Sequence, residues 1–141
     1  MSKHVLVPLD GSEQASEALD FACEEYPAAT VTLLHVINPS RAGYGAQAGI
    51  PSFSEEWYEE AEEGAEELFA EARARSPADV TVETATEVGQ PSHAIVEFAE
   101  ETDVDQIVMG SHGRQGVSRL LLGSVAETVV RRSPVPVTVV R

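Results

Sequence analysis

Lysine is almost missing from this chain. Of nine basic residues Lys3 is the only lysine, against 24 aspartates and glutamates, for a formal net charge of −15 over 141 residues. A nucleic-acid binder presents a basic face, and this composition is close to the opposite. Any phosphate would have to be held by backbone N–H groups and local arginines, not by global attraction. Scarce lysine with abundant carboxylates matches a cytoplasm of high salt, where the charges are screened and keep the surface hydrated. Cysteine is equally scarce. Cys23 stands alone, which excludes an internal disulfide and a cysteine-cluster metal site. It falls on an apolar helical stripe and reads as a small core residue. No charged segment followed by an apolar one opens the sequence, so no secretory signal is expected. Apolar runs such as Val135–Val140 fall far short of the ~20 residues of a membrane span. The expectation is a soluble cytoplasmic protein without membrane or nucleic-acid partners.

What is present is an alternation of two periodicities. The length fits one domain, 1–141, and 43% hydrophobic content supplies a core. His4–Leu9 is a short apolar run ending in the turn and cap signal Asp10-Gly11-Ser12. Ala15, Ala18, Leu19, Ala22 and Tyr26 then follow at helical spacing, and Pro27 closes the helix. Thr30–Ile37 is β-branched and apolar, a second strand. Asn38–Ser54, rich in Gly, Ala, Pro and Ser, reads as a mobile loop of a length associated with function. Glu55–Arg75 is a helix with Trp57, Ala61, Ala65, Leu68 and Ala72 on its apolar face and glutamates on the others, a solvated face more simply than a metal cluster. Asp79–Thr84 alternates as a third, less buried strand. Gln90–Glu101 is a helix with Pro91 near its start and Ala94, Ile95, Phe98 and Ala99 toward the core. Asp105–Met109 is a fourth strand cut off by Gly110, Val117–Leu122 a short helical turn, Ser124–Arg132 the last helix and Val135–Val140 the fifth strand. Strands alternating with helices predict an α/β fold, a doubly wound parallel sheet with helices on both faces.

Such sheets bind ligands at the carboxyl ends of their strands, where strand order reverses. Two stretches are suited to that edge: Pro8-Leu9-Asp10-Gly11, and the turn that begins at Met109-Gly110 and runs through His112, Gly113 and Arg114 to Gly123-Ser124. Glycines let backbone approach a ligand closely. Ser124, with Glu127 three residues on, has the spacing of a capping box, which predicts a helix start and an anion-binding end. Arg114 can neutralise phosphate charge. The segment is neither a Walker A loop nor the dinucleotide G-x-G-x-x-G. Read from the residues alone, it is equally a tight turn before an ordinary helix.

The spacing Gly110-x2-Gly113-x9-Gly123-Ser124 resembles the G-2x-G-9x-G(S/T) nucleotide signature of the universal stress protein family. Val5-Leu6-Val7-Pro8-Leu9-Asp10-Gly11-Ser12 looks like that family's first strand and turn, and Ser133–Val140 like its last strand. The resemblance spans essentially the whole chain. It implies a five-stranded parallel sheet of order 3-2-1-4-5 and an ATP-binding member, any Mg2+ arriving with the phosphates and keeping most of its waters. Carried over position by position, it implies that Asp10 meets the ribose or adenine edge beside Pro8 and Leu9. Val36 meets adenine through its backbone, and Met109 and Gly110 line the ribose side. His112, Gly113 and Arg114 border the phosphates, which Gly123, Ser124 and Val125 bind. It also implies a homodimer paired through the last strand, with Val135, Val137 and Val139 on a bare apolar edge.

Other residues carry less. Asp10 has turn chemistry with Gly11 and Ser12 as its plainer role. His112 reads as a loop histidine near the phosphates more simply than as a general base, and His35 as a satisfied core histidine. His4 and His93 suggest no chemistry. No Walker lysine or aligned base marks an efficient hydrolase, so the expectation is a stress-response switch that changes its surface with nucleotide and acts on an unidentified protein partner. Rival readings are a slow ATPase, an adenylate-forming enzyme, a partner-binding domain without nucleotide, and a flavodoxin-like carrier with Tyr44 and Trp57 as its only aromatic candidates.

Overall fold

Val5, Leu6 and Val7 are consecutive and all fully buried. Successive side chains of a strand point to opposite faces, so the strand must be covered on both sides. The computed structural model, which describes residues 3–39, 55–111 and 122–141, shows how. Strands β1 (His4–Pro8), β2 (Thr30–Ile37), β3 (Thr81–Val88), β4 (Gln106–Gly110) and β5 (Val137–Val140) alternate with helices α1 (Glu13–Glu25), α2 (Glu55–Arg75), α3 (Pro91–Glu101) and α4 (Ser124–Arg132). The sheet has the order β3-β2-β1-β4-β5 and every pairing is parallel. This is the expected α/β architecture, with β1 at the centre.

The two faces have separate cores. Val5, Val7, Leu9, Val31, Leu33 and Val108 pack with α1 and α2, while Leu6, Leu34, Ile107 and Met109 pack with α3 and α4. Ser12 caps α1, its hydroxyl accepting from the Ala15 N–H at 3.1 Å, as the turn-and-cap signal predicts. Pro91 occupies the first turn of α3, where its missing N–H costs nothing. Cys23 is buried in the first core. Burial pushes its thiol pKa up, the Ser76 hydrogen bond opposes this, and the charges of Asp20 and Asp79 add to the rise. Arg75 on α2 donates to both oxygens of Asp20 on α1, at 3.0 and 2.6 Å, in an exposed pair.

Several expected boundaries and faces move. On α2 the buried residues are Ala65, Phe69 and Ala72. Phe69, four residues from Ala65 and three from Ala72, takes the central place expected of Leu68. On α3 they are Ser92, Ile95, Val96 and Ala99, a face rotated from the one expected. Strand β3 begins two residues later than expected and continues to Val88, which pairs with Ile37. Backbone pairing with a long β2 extends it where side-chain alternation has lapsed. Gly110 does not cut β4 off but belongs to it, paired with Val140. Strand β5 starts at Val137, behind a proline that has no N–H to donate. The expected loop lies outside the described residues from 40 to 54. The expected helical turn 117–122 lies outside them except for Leu122, which is exposed and not helical.

Candidate functional site

Strand order reverses at β1: β2 lies on one side and β4, reached through β3 and α3, on the other. In doubly wound sheets ligands bind at the carboxyl ends of the strands where the order reverses, and here that place is the end of β1. Pro8 stands opposite Leu34, so the same register brings Asp10 level with Val36 at the end of β2. On the other flank Leu6 stands opposite Ile107, which brings Leu9 level with Gly110. Pro8, Leu9, Asp10, Val36, Met109 and Gly110 are thus gathered at one edge of three adjacent strands.

The chain leaves the sheet sharply here. Asp10 is exposed, and its Oδ1 accepts from the Ser12 N–H at 2.9 Å. Gly11 takes a φ of +84°, a left-handed conformation that glycine adopts without steric cost. The turn role of Asp10 is therefore real, and it leaves the carboxylate exposed at the carboxyl edge of the sheet. Leu9 is buried, and its carbonyl accepts from His35 Nδ1 at 2.8 Å. His35 is half-buried, not a core residue as expected, but its ring is hydrogen-bonded.

The second half of the edge is closed by backbone. Ser111 is 2% exposed. Its N–H donates to the Val140 carbonyl at 2.9 Å, and its own carbonyl accepts from the Gly123 N–H at 2.7 Å. That last bond ties the end of β4 to the start of α4 across the intervening segment. The expectation that Ser124 caps α4 is corrected. The cap is Gly123, at φ −67° and ψ 161°, with no side-chain cap hydrogen bond, and Ser124 is the first helical residue. Glu127 does not complete a capping box; it pairs with Arg131 at 3.0 Å, one turn on. Three peptide N–H groups at the head of such a helix have no partner within it, and those of Ser124, Val125 and Ala126 project from this one. Val125 is half-buried against the second core. His112, Gly113 and Arg114 lie outside the described residues.

Over its full length, residues 1–141, the sequence matches the model of the Universal stress protein family. The chain belongs to that family. Among its relatives is the universal stress protein MJ0577 of Methanocaldococcus jannaschii, 34% identical over 155 residues that include all of this chain and 96% of the relative. The solved structure of MJ0577 superposes with a TM-score of 0.77 at 35% identity, covering 99% of this chain and 96% of the other. A universal stress protein in complex with cAMP matches at 28% identity and a TM-score of 0.63, over 99% and 97% of the two chains. One from Archaeoglobus fulgidus in complex with dAMP matches at 26% and 0.66, over 100% and 98%.

Two contacts of this family member had little or no signal in its sequence. A Cβ on Gly110 would lie 2.7 Å from Gln14 Cβ and 2.9 Å from the Gln14 backbone carbon. The glycine is demanded by the approach of α1 to β4, independently of any ligand. The Ser111–Gly123 bond joins main chains, which no side-chain pattern encodes. Among the described residues no group of three or more His, Cys, Asp or Glu could hold a metal ion, and no helix is long and apolar enough to cross a membrane.

Proposed function

We propose that this chain is an ATP-binding regulatory protein, with adenine at the Asp10–Val36 edge and phosphates at the head of α4. The observation that carries the reading is the glycine-capped start of α4. Its first-turn N–H groups lack a side-chain cap and lie beside the carboxyl end of β4, joined to it through Ser111. Such a helix end favours an anion through directed donors and its dipole. The complexes of two solved relatives with cAMP and dAMP support an adenine nucleotide as the ligand class.

In this reading the N–H groups of Ser124 and Val125 receive the phosphates, while the Gly123 N–H stays with Ser111. Asp10 faces the ribose or adenine edge with the oxygen that Ser12 does not occupy. Met109 and Gly110 floor the ribose side, and His112, Gly113 and Arg114 complete the phosphate border. Any Mg2+ comes with the nucleotide. The protein works in the cytoplasm as a stress-response switch, a homodimer joined through β5 whose surface changes with the bound nucleotide, and efficient hydrolysis is not part of its design.

Calorimetric titration of nucleotide-stripped protein with ATP and Mg2+ in high-salt buffer, beside AMP, cAMP and GTP, tests this. Saturable binding of adenine nucleotides in preference to GTP is expected. Absence of heat from a folded sample would overturn it.

A further inference from the structure

The β1–β2 ladder stops one rung early, and a side chain bonds the carbonyl that the missing rung would use. The backbone groups of β2 alternate in direction. Thr30 N–H donates to Lys3 and the Leu34 carbonyl accepts from Leu9 N–H, both toward β1. Ala29 and Ile37 carbonyls accept from Thr81 and Gly89, both toward β3. Even-numbered residues of β2 therefore face β1, and Val36 is the last of them. In a parallel ladder the next rung after Leu9 N–H to Leu34 would run from Val36 N–H to the Leu9 carbonyl. Strand β1 ends at Pro8, without that rung. The Leu9 carbonyl instead accepts from His35 Nδ1 at 2.8 Å. A carbonyl can only accept, so Nδ1 carries the proton.

We propose that His35 is a positioning residue for base recognition. Its imidazole holds the Leu9 carbonyl out of line with the Val36 N–H, and the Val36 main chain faces the space that β1 vacates. A purine has acceptors and, in adenine, an exocyclic donor, so its edge pairs with one backbone N–H and C=O. This rests on the reading that adenine binds at the Asp10–Val36 edge. His35 touches no nucleotide; it acts through Leu9 and Val36. Without its ring, Leu9 and Val36 close the rung on each other and the base loses its partner.

The test uses the full chain with two substitutions. Asparagine can offer an N–H close to where Nδ1 lies, so His35→Asn keeps the donor, while His35→Leu keeps only bulk. Each is titrated with ATP and GTP, and Val36 amide exchange is followed by NMR without nucleotide. His35→Asn is expected to bind ATP within about twofold of the parent. His35→Leu is expected to bind about tenfold more weakly, with its preference for ATP over GTP narrowed and its Val36 amide more protected. A His35→Leu protein that binds as the parent does, or that shows no added Val36 protection, overturns the proposal. Equal weakness of both variants overturns it too, because the donor would not then be what matters. A parent that binds neither nucleotide sinks the adenine site itself, and the Val36 exchange still decides whether His35 blocks the rung.

Discussion

Gly110 and Gln14 are packed so closely that a Cβ on the glycine would meet Gln14 Cβ at 2.7 Å and its backbone oxygen at 3.0 Å. The end of β4 and the first turn of α1 are thereby locked together at the carboxyl edge of the sheet, and the first glycine of the signature has a packing reason of its own. Gly110→Ala should destabilise the fold by ~1–3 kcal/mol, the usual cost of overpacking, because backbone atoms cannot rotate away. Urea unfolding measures it; an unchanged midpoint would mean that α1 shifts freely.

Gly123 predicts the opposite separation of stability from binding. Its φ of −67° and ψ of 161° suit any residue, and serine caps better than glycine by a few tenths of a kcal/mol. Gly123→Ser should hold or slightly raise the melting temperature. It should also weaken ATP binding severalfold, because the new hydroxyl takes a first-turn N–H. Undiminished affinity would move the phosphates away from α4.

Strand β5 pairs with β4 on one side only and forms a sheet edge of half-buried residues, Thr138 among them. A dimer through this edge brings two copies of Thr138 near each other. Thr138→Glu should then shift the sedimentation profile toward monomer through like-charge repulsion. A profile that does not move would overturn a dimer through this edge.

Cys23 gives a pH prediction. Burial raises its thiol pKa, so the folded state holds the proton to higher pH than the unfolded one. Stability is unaffected below the ordinary thiol range of ~8.5 and falls as pH rises above it, because there the unfolded chain binds fewer protons. Cys23→Ala should flatten this alkaline loss, and native Cys23 should react with a thiol reagent far more slowly than the unfolded chain. Rapid native labelling would contradict its burial.

The charge of −15 implies strong self-repulsion in the folded state. Raising NaCl from 0.1 to about 1 M shortens the Debye length from ~10 to ~3 Å and should raise the melting temperature by several degrees. A fall on adding salt would show that attractive ion pairs dominate; the exposed Arg75–Asp20 and Arg131–Glu127 pairs contribute too little for that to be expected.

The alternation of periods in the sequence determined the order and kind of the five strands and four helices among the described residues. Burial of consecutive Val5, Leu6 and Val7 requires a strand with cover on both faces, and the helical spacing of Ala15, Ala18, Leu19 and Ala22 requires a buried helix face. Those are local consequences of geometry, and so is the Ser12 cap. The resemblance to the universal stress proteins supplied the strand order, which periodicity alone leaves open. Tertiary structure decided what depends on contacts between distant segments. Whether Phe69 or Leu68 turns inward depends on the sheet beneath α2. Whether Ser124 caps α4 depends on where Ser111 draws Gly123. Whether Val36 pairs with Leu9 depends on a ring that the sequence marks only as one histidine in a strand. Side-chain patterns encode which surfaces are buried; the pairing of main-chain groups across the sheet edge is set by how the buried surfaces finally meet.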